Sequence, residues 1–160
     1  MLSLCATDLK GRTTISVTEE TIPKTDAPTG FASASRATIL VVDDEKLLRD
    51  LAARALEDAG FNVLTAASGE ECLRLHVVAT AAIALTITDF SMTPGMNGEE
   101  LFNALLALNP KAQVMLSSGS VPASALSRMM QKGLFGFLIK PYTPRRLVEE
   151  ASRIRNNCIL

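Results

Sequence analysis

"LTITDFSMTPGMNG", residues 85–98, carries Thr and apolar residues up to a single aspartate, Asp89, and then breaks into a loop with Pro94, Gly95 and Gly98. An uncharged run of this kind reads as a strand buried on both faces. A strand that ends on a carboxylate needs a compensating charge nearby, because an unpaired ion is costly to take out of water.

Working upstream, "ILVV" (39–42) is an all-apolar run, and Asp43 and Asp44 follow it directly. Leu48, Leu51, Ala52, Ala55, Leu56 and Ala59 then recur at helical spacing until Gly60 stops the pattern. "FNVLTA" (61–66) predicts a strand, and Ser68 caps a helix through Ala79 with Glu71 as its capping-box partner. Downstream of Asp89, helices are expected over 99–109, 122–132 and 144–155, and strands over 113–117 and 134–139. Five strands thus alternate with five helices, starting roughly every 22–30 residues, about the length of a right-handed βα unit. The pattern predicts an α/β fold, a doubly wound five-stranded parallel sheet with helices on both faces. Sites on such sheets form at the carboxyl ends of the strands.

The 160 residues favour one domain plus a tail, and a hydrophobic content of 48% suffices for a core. Residues 1–36 are rich in Thr, Ser, Ala, Pro and charge, and read as a flexible tail or linker before a domain at 37–157. "RTTISVT" (12–18) alternates like a strand but has no obvious partner. The 16 basic and 17 acidic residues nearly cancel, which argues against a nucleic-acid surface. The longest uncharged apolar stretch, 77–88, is too short to cross a bilayer. The start lacks a secretory pattern, and Cys5, Cys72 and Cys158 lack metal-like spacing, so a cytoplasmic protein with reduced thiols is expected.

This arrangement puts Asp43, Asp44, Asp89, Ser118, Gly119, Lys140 and Pro141 along one edge of the sheet. Three carboxylates in one pocket repel, and two cations fit among them: a hard divalent ion such as Mg²⁺ and the ammonium of Lys140. A carboxylate beside them is a possible nucleophile toward phosphorus. The Ser118 hydroxyl is then placed to bond a phosphoryl oxygen, and Gly119 leaves it room. The plainer reading of Asp43 and Asp44 is that they cap the helix starting near Glu45. His76, the one histidine, reads as a surface or packing residue, and Cys72 as a small core hydrophobe.

"ILVVDDE", "TDFSM" with "PGMNG", "VMLSSG" and "GFLIKPYT" together resemble the receiver domains of bacterial two-component signalling, and most of all those of hybrid sensor kinases. The resemblance covers residues 38–155. It implies a flavodoxin-like strand order 2-1-3-4-5, with Asp89 accepting phosphate from a sensor histidine kinase or histidine phosphotransfer protein. It implies Mg²⁺ on Asp44, Asp89 and the Ser91 carbonyl, with Asp43 reached through water. It further implies that Ser118 and Phe137 are switch positions, that the Lys140–Pro141 bond is cis, and that output passes to another protein. Self-phosphorylation and slow dephosphorylation are the only expected activities. Thr93 makes the loop after Asp89 one residue longer than the common form, and Phe137 lacks the hydroxyl of a Tyr.

Two rivals use the same residues. An aspartyl phosphohydrolase would want an acid two residues past the nucleophile, where Ser91 stands. A flavodoxin-like nucleotide binder would want a phosphate-cradling loop after the first strand, where "DDEK" repels phosphate.

Overall fold

A computed structural model describes residues 36–79 and 83–157. Thr38–Val42 forms β1, Lys46–Asp58 α1, Asn62–Ala66 β2, Gly69–Ala79 α2 and Ile83–Thr88 β3. Gly98–Leu108 forms α3, Val114–Ser118 β4, Ala123–Gln131 α4, Gly136–Ile139 β5 and Pro144–Asn157 α5. The strands are parallel and ordered β2-β1-β3-β4-β5, as expected. The expected tail up to residue 35, with its candidate strand at 12–18, lies outside the described residues.

Alternation along the strands splits the core in two. Ile39, Val41, Leu85, Ile87 and Met115 face α1 and α5, where Leu56, Leu147, Ala151 and Ile154 meet them. Leu40, Val42, Val114 and Leu116 face the other way, against Cys72 of α2, Phe102 and Leu105 of α3 and Met129 of α4. Both faces of β1 and β4 are covered, which is why Ile39–Val42 and Val114–Leu116 read as apolar runs. Cys72 is the small core residue expected of it.

Several boundaries move by one or two residues for visible reasons. β4 runs on through Ser118, because Ser118 pairs with Ile139 and its carbonyl accepts the Lys140 N–H at 3.0 Å. β5 starts only at Gly136, because the Leu134 N–H is still bonded to the Met129 carbonyl of α4 at 3.0 Å. α3 starts at Gly98, because the Asn97 side chain accepts the Glu99 and Glu100 amides while Glu100 accepts the Asn97 N–H. α1 ends where Gly60 takes a φ of +85°, a left-handed conformation that side chains resist.

The polar residues of β3 are all satisfied. The Thr88 hydroxyl donates to the Asp89 carbonyl at 3.0 Å. Thr86 pairs with His76 Nε2 at 2.8 Å, both side chains buried between α2 and the sheet. His76 is therefore a packing residue. Burial holds its imidazole below the ordinary value of 6.5. An unfolded chain then binds the proton more readily than the folded one, so folding stability falls as pH drops below about 6.5. Urea titrations should show this loss in the wild type and a smaller one in His76→Gln.

Candidate functional site

Strand register brings the acids together. Val42 is level with Thr88, so Asp43 and Asp89 leave neighbouring strands at one height. The ladder runs right up to them: Asp89 N–H donates to the Val42 carbonyl at 3.0 Å and Asp43 N–H to the Ala66 carbonyl at 3.2 Å. Carboxylate oxygens of Asp43, Asp44 and Asp89 lie within 4.8 Å of one another. Asp43 and Asp89 are buried and Asp44 is half-buried.

Lys140 comes from further away. β5 is separated from β3 by β4, a distance of about 9–10 Å at the usual strand spacing. The lysine stem must pass over the end of β4, where Ser118 and Gly119 are small. A Cβ on Gly119 would stand 3.9 Å from Lys140 Cβ. The ammonium donates to Asp43 Oδ2 at 2.7 Å and to Asp89 Oδ2 at 3.1 Å. Burial pushes the ammonium down, but the hydrogen bonds to Asp43 and Asp89 outweigh it and hold Lys140 above its ordinary range.

The remaining oxygens have defined partners. Asp89 Oδ1 accepts the Phe90 N–H at 2.6 Å and the Ser91 N–H at 3.4 Å. Asp43 Oδ1 accepts the Glu45 N–H at 2.9 Å, and the Asp43 carbonyl accepts Arg49. Neither acid is the cap expected of it: the N-cap of α1 is Glu45, which makes no side-chain cap bond, and the Asp43 bond to the Glu45 N–H is an Asx turn leading into the helix. Asp44 Oδ2 accepts the Thr93 N–H at 3.2 Å, so the residue that lengthens the loop is tied to the acid pocket. Glu70 on α2 holds the far side of the same loop through the Met96 N–H at 3.4 Å.

Among the described residues, three carboxylates beside one bonded ammonium leave two negative charges uncompensated. Like charges about 4 Å apart repel by ~4 kcal/mol at an effective dielectric of 20. All the donor atoms are hard carboxylate oxygens, which suits Mg²⁺ and not a softer metal.

Ser118 is fully buried, and its hydroxyl donates to the Ser120 carbonyl at 2.9 Å, within its own loop. Phe137 is half-buried, stands level with Leu116, and packs on the α2–α4 side of the sheet. The Lys140–Pro141 bond is cis, as the resemblance implied, and so is Thr93–Pro94.

One residue of the site went unseen in the sequence. A Cβ on Gly98 would sit 2.6 Å from the Asp89 carbonyl and 2.8 Å from Phe90 Cα. The start of α3 is therefore pressed against the backbone of Asp89, and the Gly98 N–H donates to the Phe90 carbonyl at 2.8 Å. The Asn97-x-x-Glu100 capping pattern was the available signal for that helix start.

A family model described as the response regulator receiver domain matches residues 39–152. The C4-dicarboxylate transport transcriptional regulatory protein DctD of Rhizobium meliloti is 35% identical over 116 residues, which are 72% of this chain and 25% of DctD. Sensor kinase CckA of Brucella abortus is 32% identical over 111 residues, 69% of this chain and 12% of CckA. The chain thus spans a quarter or less of these two relatives. Among solved structures, a response regulator receiver domain protein from Clostridium thermocellum superposes with a TM-score of 0.71 at 29% identity, covering 78% of this chain and 99% of that one.

The tight contact at Gly98 gives a stability test. Gly98→Ala should cost about 1–3 kcal/mol through overpacking against backbone. Gly119→Ala, with 3.9 Å available, should cost less than about 1 kcal/mol. Urea unfolding of both variants checks the order.

Proposed function

Because the chain belongs to the response regulator receiver family of two-component signalling, we propose that Asp89 is its phosphoacceptor and that the surrounding residues serve that transfer. The observation that carries this is the shared ammonium: Lys140 reaches over β4 to bond both Asp43 and Asp89. In the reaction, an Asp89 oxygen forms a bond to phosphorus as the P–N bond of a phosphohistidine breaks, the electron pair leaving on the imidazole nitrogen. Lys140 follows the charge onto a phosphoryl oxygen. Mg²⁺ on Asp44, Asp89 and the Ser91 carbonyl, with Asp43 behind a water, would neutralise the other phosphoryl oxygens. Ser118 would leave the Ser120 carbonyl to bond the new phosphoryl group. Phe137 would then turn into the vacated space, reshaping the face made by α4, β5 and α5 for a downstream protein.

We take residues 37–157 as the receiver proper, with residues 1–36 as a linker. We take the cytoplasm as its compartment; among the described residues no helix is long and apolar enough to cross a membrane. The domain has no separate substrate to turn over. The donor is a sensor histidine kinase or a histidine phosphotransfer protein. Its docking surface is the apolar groove of about 410 Å³ between α1 and α5, lined by Leu48, Leu51, Tyr142 and Pro144 and also by Lys140. Leu47 and Leu51 stay largely exposed beside it. An apolar face next to the lysine lets a partner helix bring its phosphohistidine over the strand ends.

Intact mass after incubation with Mg²⁺ and acetyl phosphate should show one added phosphoryl group in the wild type. Asp89→Asn and Asp44→Ala should show none, and Asp43→Ala a reduced yield. Full phosphorylation of Asp89→Asn would refute the assignment. Leu51→Asp should slow transfer from a phosphorylated histidine phosphotransfer protein by about tenfold or more. Its rate with acetyl phosphate should stay at the wild-type value.

A further inference from the structure

Lys140 is useful only if its backbone is fixed, since its stem is flexible and its ammonium must meet two carboxylates on strands beyond β4. The sheet anchors it on one side: the Lys140 N–H donates to the Ser118 carbonyl at 3.0 Å, the last bond of the β4–β5 ladder. On the other side the chain leaves the sheet. Pro141 has no N–H to give. Backbone anchoring resumes only at Thr143, whose carbonyl accepts the Leu147 N–H at 3.1 Å and starts α5.

Tyr142 lies in that gap. Its phenol oxygen accepts the Ser117 hydroxyl at 3.1 Å. Ser117 is buried in the last turn of the pleat in β4, on the face opposite Ser118. The bond therefore joins the turn that carries Lys140 to the strand end that carries Ser118, from the α1–α5 side of the sheet.

We propose that Tyr142 is a positioning residue for phosphoryl transfer, holding Lys140 over the acid pocket through its hydrogen bond to Ser117. The proposal rests on the phosphoacceptor reading of Asp89. Tyr142 does not touch the reacting atoms. It fixes the exit of β5 so that the Lys140 ammonium stands where the phosphoryl oxygens must arrive. The metal-binding acids leave β1 and β3, so they do not depend on this bond.

Two substitutions break the same bond with different side effects. Tyr142→Phe leaves the buried Ser117 hydroxyl without its partner. Ser117→Ala leaves the hydroxyl of Tyr142, a half-buried residue that lines the open groove. Tyr142→Phe should therefore destabilise the fold more than Ser117→Ala does. A positioning role predicts that both lower the acetyl phosphate reaction rate equally, by about fivefold, the worth of one net hydrogen bond. The double variant Ser117→Ala/Tyr142→Phe should lose no more than either alone.

The experiment is the phosphorylation rate of the full chain and the three variants with acetyl phosphate, alongside melting temperature. Two binding constants are read in parallel: Mg²⁺ alone, and beryllium fluoride at saturating Mg²⁺ by fluorine NMR. The expected result is weaker beryllium fluoride binding in every variant, unchanged Mg²⁺ binding, and rate losses that do not follow melting temperature. Wild-type rates and beryllium fluoride affinity in both single variants overturn the proposal. So do losses that follow melting temperature with Mg²⁺ binding falling in parallel. A wild-type chain that takes no phosphate at all overturns the phosphoacceptor reading itself and is recognised before any variant is compared.

Discussion

The arrangement turns on one charge constraint. Three carboxylates converge at the end of a parallel sheet, and among the described residues the ammonium that bonds two of them, Lys140, comes from two strands beyond Asp89. That requirement fits the small residues at the end of β4, Ser118 and Gly119, over which the Lys140 stem passes. Two uncompensated charges remain, which makes the pocket a place for a divalent cation and then for an anionic phosphoryl group. Lys140 is shared between Asp43 and Asp89. With a phosphoryl group on Asp89, the same ammonium would have a better anion to bond.

The route from the site to the surface is short. Ser118 closes β4, and beyond its loop lies α4. α4 is held to α3 by a bidentate pair, Arg128 to Glu99 with both contacts at 2.7 Å, and by Lys132 to Asn103 at 2.7 Å. Arg128 is exposed, so this pair holds a position more than it adds stability. A Ser118 that turns toward a phosphoryl group gives up its bond to the Ser120 carbonyl and the longer one, at 3.4 Å, that it accepts from the Ser120 N–H. An equilibrium poised by a few such bonds can be moved by one ligand with a few kcal/mol of differential affinity.

The fold was legible because both faces of the sheet are buried. Runs such as "ILVV" and "VMLS" admit few other readings, and the helical spacing of Leu48 to Ala59 marks the intervening α1. Asp43, Asp44, Asp89 and Lys140 were legible because each directly follows a strand, and strand ends share an edge. What escaped are contacts that depend on three-dimensional approach. Gly98 looks like any loop glycine until the Asp89 carbonyl is found 2.6 Å from where its Cβ would be. The Ser117–Tyr142 bond joins residues 25 apart whose facing depends on the pleat. Thr93 looked like a departure in loop length, yet its amide serves the Asp44 carboxylate. Burial of His76 depended on which face of α2 meets Thr86, which a single histidine in a short helix does not reveal.

The most direct test of this account is a crystal structure of the chain grown with Mg²⁺ and beryllium fluoride. The expected structure has beryllium bonded to a carboxylate oxygen of Asp89, the Lys140 ammonium on one of its fluorines, and the metal among Asp43, Asp44 and Asp89. Beryllium fluoride bound to Asp43 or Asp44, or Lys140 turned out to solvent while Asp89 carries the group, would contradict it.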